Sequence, residues 1–233
     1  MQQPSTPVEL GRCQAVVLDD LLRLRIRSAQ ERATDFLEPP AGNVEDRWAI
    51  YSSGFLARLP RSYDLGCAGD RLASFLLTDP LSERLPFLPD LAKLEWAVAN
   101  AFVAADAHPL QRSDLAGLDP KEVASLPLRT VPGTAVVRSE WPLLDIWGLR
   151  DVPDGDVNLD VTGRPSTVLI YRRGREVRWR VIDEAEEQLL RAACRGTSLD
   201  QLDIRAAGAV AAMVAAFGRL LAAGVFAADG EPG

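Results

Sequence analysis

The sequence predicts an α+β protein: an N-terminal helical domain over 1–130, then a small winged-helix-like module over 131–233 built of three strands followed by three helices. Three observations predict it. Apolar residues recur at spacings of three and four through the first half. Alternation of period two appears only after Pro132. Beyond Ile182 the pattern turns helical again to the end of the chain.

Leu18, Leu22, Ile26, Ala29, Ala33 and Phe36 make one stripe of a long helix, which Pro39 and Pro40 end. A second helix over 44–59 is closed by Pro60, and a third over 70–77 stops before Pro80. The strongest runs over 89–106. A short helix follows over 119–126, with Asp119 as N-cap, Pro120 at N1 and Glu122 at N3, a capping-box pattern. The domain boundary is placed near 128–133. Strands are expected over 134–139, 167–173 and 176–182. The last two are joined by a tight turn at Arg173-Gly174. In the third, Val177, Trp179 and Val181 share one face and Arg178 and Arg180 the other. The segment 148–166, rich in Asp, Gly, Pro and Asn, reads as a surface loop. Helices over 183–195 and 205–223, with a short turn over 198–202, complete the module.

Composition narrows the function. The chain has 233 residues, 47% of them hydrophobic, which supplies a packed core and argues against global disorder. A net charge of −7 disfavours proteins that live on phosphate contacts, so nucleic acid is not an expected partner. Cys13, Cys67 and Cys194 are too scattered for a disulfide framework and suit a reducing cytoplasm; each is expected to be buried. The first residues carry no signal-peptide pattern. No stretch reaches the ~20 apolar residues that span a bilayer. His108 is the only histidine, so no private metal site and no cofactor are expected.

On a wheel of the 89–106 helix the apolar arc holds Leu91, Leu94, Trp96, Val98, Ala99, Phe102 and Val103. Glu95 falls within that arc, with Asp106 on the same side at the helix end. A carboxylate aimed at a core needs a partner. Tyr51 and Arg58, seven residues apart on the second helix, are candidates: an ion pair with Arg58 and a hydrogen bond from Tyr51. A catalytic role for Glu95 lacks any accompanying nucleophile or metal set. In the hairpin, Arg172, Arg173, Arg175, Arg178 and Arg180 place five arginines in nine residues. They suit an acidic peptide or phosphate. They equally suit neutralisation by Glu176, Asp183, Glu184, Glu186 and Glu187 next to them.

Two stretches carry a resemblance. Ile50-Tyr51-Ser52-Ser53-Gly54-Phe55-Leu56-Ala57-Arg58-Leu59 resembles the I-Y-x-x-G-Y/F-x-x-R-L helix of the HvfC/BufC family. Pro86-Phe87-Leu88-Pro89-Asp90-Leu91-Ala92-Lys93-Leu94-Glu95-Trp96, continuing to Ala104-Ala105-Asp106-Ala107, resembles that family's P-Y-L-A-D-L-A-R-L-E-W … A-x-D-A helix. The family includes MbnC-type subunits, and its N-terminal region is often catalogued as a DNA-binding domain. The resemblance implies a bacterial, non-catalytic subunit in the making of ribosomally synthesised, post-translationally modified peptides, often copper-related. It implies two partners: an iron-dependent TIM-barrel enzyme of HvfB, BufB or MbnB type, and a precursor peptide.

The tail is also similar to peptide-recognition elements that hold a leader peptide as an added strand. Mapped here, that groove lies between 176–182 and 205–223 and uses Arg178, Trp179, Arg180, Met213 and Phe217. Tyr51, Arg58, Asp90, Glu95, Trp96 and Asp106 are then partner-interface or structural-motif residues. The chain departs from the family after Leu59, where a further helix-bearing segment is missing. The alternative function is a DNA-binding regulator. Against it, the would-be recognition helix over 205–223 is mostly Ala, Val, Leu and Met.

Overall fold

The computed structural model describes residues 68–149, 164–202 and 209–228. The helices expected over 18–36 and 44–59, with Tyr51, Arg58, Cys13 and Cys67, lie outside the described residues. Within them the architecture is mixed α and β, with one three-stranded antiparallel sheet. The chain divides into two compact units, Met1–Trp96 with Trp141–Arg164, and Ala97–Glu140 with Pro165–Gly233. Among the described residues no helix is long and apolar enough to cross a membrane.

The first unit contains α1 (Ala68–Leu76), the single turn α2 (Leu81–Arg84) and the beginning of α3 (Leu88–Val103). Leu72, Ala73 and Leu76 are the buried stripe of α1; Leu88, Leu91, Ala92 and Leu94 are that of α3. Asp90 sits in the first turn of α3, where a carboxylate favours the positive end of the helix, and it accepts Lys93 Nζ at 2.8 Å. Phe87 meets Trp141 edge to face at 6.3 Å. A short helix that sequence patterning does not foresee, α5 (Leu143–Gly148), buries Leu143, Ile146 and Trp147.

The second unit holds the helix α4 (Pro120–Ser125) and the sheet β1 (Ala135–Ser139), β2 (Ser166–Arg173) and β3 (Glu176–Val181), in that order. It ends with α6 (Glu184–Cys194) and α7 (Ala209–Ala223). Asp119 caps α4 through the Lys121 and Glu122 amides, and Glu122 returns to the Asp119 amide, as the capping-box spacing predicts. Asp183 and Glu186 repeat the arrangement at α6. Each strand lies within a residue or so of its expected bounds. The β2–β3 turn has Gly174 at φ 62°, the first central position of a two-residue hairpin, which type II′ turns reserve for glycine.

The core of this unit joins Leu169 and Tyr171 of β2 to Leu189 and Leu190 of α6 and Met213, Ala216 and Leu220 of α7. Leu128 belongs to it and Val131 is also buried, both within the segment where the sequence suggests a boundary. Gly133 is needed where the chain turns into β1. Its φ is 77°, and a Cβ there would stand 2.7 Å from Ala104 Cβ and 2.9 Å from Ala101 Cα.

Candidate functional site

The third strand ends the sheet, and its register decides what it can offer. Val168 faces Val181, Leu169 faces Arg180 and Tyr171 faces Arg178. Just past the strand, the Ile182 amide donates to the Thr167 carbonyl at 2.9 Å. Antiparallel pairs alternate, so the amides of Arg178 and Arg180 also turn toward β2. Those of Val177, Trp179 and Val181 turn away from it, toward the outer edge. Among the described residues, β3 is paired on one side only.

The same register sorts the side chains. Arg178 and Arg180 lie on the face of Leu169 and Tyr171, the face packed against α6 and α7. Trp179 and Val181 lie on the other face and are substantially exposed. Arg180 is therefore no free side chain. Its guanidinium donates to Glu186 Oε2 at 3.0 Å and Oε1 at 2.7 Å. Arg219 of α7 donates to the same Oε1 at 3.1 Å and also pairs with Asp183. Burial pushes the Glu186 carboxyl up, but the hydrogen bonds from Arg180 and Arg219 outweigh it and hold it below the usual carboxylate range. Glu187, also buried, accepts Arg138 of β1 at 2.7 Å and Arg191 at 2.8 Å. Arg178 pairs with Glu176.

Several expected site residues have other duties. Met213 is buried in the core, not presented to a groove. Phe217 is partly buried and stacks on Phe226 at 5.3 Å. The large exposed apolar residues of α7 are instead Val210 (59%) and Val214 (66%). The helical period does not separate them from Met213, because α7 is apolar on nearly every side.

Glu95 is buried, as its place on the wheel suggests, and accepts a hydrogen bond from the Trp147 indole of α5. Sequence reasoning missed Trp147; its only signal was the apolar spacing of Leu143, Ile146 and Trp147. Trp96 is half-buried. Asp106 departs from expectation. The helix α3 ends at Val103, so Asp106 is not on it; it is exposed and pairs with Arg172, which also donates to the Ala104 carbonyl. Phe102 and Val103, assigned to the apolar arc, are exposed, and the small Ala97 and Ala101 are buried in their place. Cys194, in the last turn of α6, is exposed rather than buried.

Among the described residues, no group of three or more His, Cys, Asp or Glu side chains is placed to hold a metal ion. The arrangement offers main-chain pairing along β3 and guanidinium groups around the hairpin. No family model, curated protein or solved structure matches the chain.

Proposed function

We propose that this chain is a non-catalytic accessory subunit in the biosynthesis of ribosomally made, post-translationally modified, copper-related peptides. It works in the cytoplasm without a cofactor of its own. It holds the precursor peptide as an added strand and docks, as a heterodimer, onto an iron-dependent oxidative enzyme of HvfB, BufB or MbnB type. The sheet with α6 and α7 is read as a winged-helix-like module used for peptide rather than for DNA.

The observation that carries this reading is the terminal place of β3, with the Val177 and Val181 amides turned outward. An added strand takes its affinity from such main-chain groups and its specificity from flanking side chains. The resemblance of the segments around Tyr51 and Glu95 to the HvfC/BufC motifs supports the choice of pathway. The helix α7 lends no support to DNA recognition. Its one charged residue, Arg219, is tied to Asp183 and Glu186.

The reading expects a short cysteine-bearing peptide to be encoded beside this chain's gene, and fluorescence anisotropy with that peptide tests it. Binding that survives physiological salt and is lost on N-methylation of alternate peptide residues is expected. Insensitivity to methylation at every position removes the strand-addition reading. A nanomolar, sequence-specific duplex DNA complex at that salt establishes the regulator instead.

A further inference from the structure

The hairpin arginines do not behave as one cluster. Arg178 and Arg180 are matched by Glu176 and Glu186 and leave no unpaired guanidinium. Arg172, Arg173 and Arg175 instead line an open cavity of about 440 Å³, where Arg112 joins them from a different part of the chain. No carboxylate among the described residues pairs with Arg112, Arg173 or Arg175. The one acid on the wall is Asp106, whose side chain is 96% exposed and bound to Arg172. Val131, Pro132 and Leu221 supply an apolar flank.

We propose that this cavity is a carboxylate-binding site, for an acidic peptide side chain or a free dicarboxylate. Four guanidinium groups against one carboxylate leave an uncompensated positive field inside a chain whose net charge is −7. Guanidinium forks match carboxylates bidentately, and several forks on one wall can share a single carboxylate. The net charge disfavours an extended polyanion, while a single anionic group feels mainly the local field. Arg172 is preorganised to receive a carboxylate, because its side chain is 14% exposed and is held by the Ala104 carbonyl. Asp106 then acts as the chain's own occupant, which a ligand carboxylate displaces or sits beside. The inference does not depend on the β3 edge.

The test uses the full chain and three anions at equal ionic strength: succinate, acetyl-tetraglutamate amide and inorganic phosphate. Acetyl-tetraglutamine amide is the neutral control. Amide shifts of Gly174 and Gly224, both on the cavity wall, report occupancy. Both carboxylate probes are expected to shift them; the tighter of the two identifies the source as free dicarboxylate or peptide side chain. Arg173→Ala and Arg175→Ala should each weaken binding about tenfold, the scale of one charge-assisted hydrogen bond. Arg195→Ala, an equal charge loss at an exposed arginine outside the cavity, should leave it unchanged. Asp106→Ala should tighten it by removing the competing carboxylate. The proposal is overturned by equal losses in Arg195→Ala and Arg173→Ala, by equal binding of the neutral peptide, by phosphate binding more tightly than succinate, or by no shift with either carboxylate.

Discussion

Both terminal guanidinium nitrogens of Arg180 reach the carboxylate of Glu186, so β3 is fastened to the first turn of α6. Arg180, one of the residues expected to line a peptide groove, is instead a structural tie. Glu186 itself is 2% exposed, shares Arg219 and receives the Asp183 amide. Removing its charge leaves two guanidinium groups short of a partner. Because both arginines keep access to water, the cost should fall below that of a fully buried pair, at ~1–3 kcal/mol for Glu186→Gln. Urea unfolding measures it through the midpoint.

The same carboxylate sets a pH dependence. Its folded pKa lies below the ordinary value, so its contribution is complete above the unfolded pKa of ~4.3 and is lost as pH falls through the folded one. Urea midpoints from about pH 7 down to about pH 3 should decline at the acid end in the native chain. The decline should be shallower in Glu186→Gln, and equal slopes count against the assignment.

Trp147 and Glu95 make a second tie, between α5 and α3. Trp147→Phe keeps a ring in the core but removes the indole N–H from a buried carboxylate. The expected loss is ~1–3 kcal/mol. An unchanged melting temperature in Trp147→Phe, by calorimetry, would show that the indole bond does not contribute to stability.

The sheet and its helices were legible because their signals are local. Gly174 sits at the turn that needs it, Asp119 and Asp183 sit three residues before glutamates that complete their caps, and the charged–apolar alternation of 176–181 spans the whole of β3. Helix α5 was not legible because six residues are too few to display a helical period. The wheel misplaced Phe102 and Val103 for another reason. Burial at that end of α3 follows the approach of Gly133, which admits only the small Ala101. At the candidate site, sequence located the arginines but not their allegiances. Whether Arg180 meets solvent or Glu186, and whether Arg173 shares a cavity with Arg112, depends on residues brought together by the fold.

Gly133 gives a sharp test of that close approach. Alanine there must adopt a positive φ and place a methyl against the Ala101 backbone, which no side-chain rotation relieves. Gly133→Ala should cost ~2–4 kcal/mol, the sum of backbone strain and overpacking. Gly174→Ala meets only the backbone strain, since nothing lies within 4 Å of its Cβ, and should cost about half as much. Matched urea midpoints would remove the packing argument.

The register of β3 decides which of its positions can test strand addition. Proline at Arg178 or Arg180 removes an amide that faces β2, so it breaks the hairpin whether or not a peptide binds there. Proline at Val177 or Val181 removes an outward amide and leaves the ladder to β2 in place. Edge strands tolerate proline on that side. Val177→Pro and Val181→Pro should therefore keep the native circular dichroism and melt within a few degrees of the parent, yet lose most of the affinity for the precursor peptide. Alanine at the same positions retains the amide and should weaken binding only through lost side-chain contact. If folded Val177→Pro and Val181→Pro both bind the peptide as the parent does, the outer edge of β3 is not where it sits.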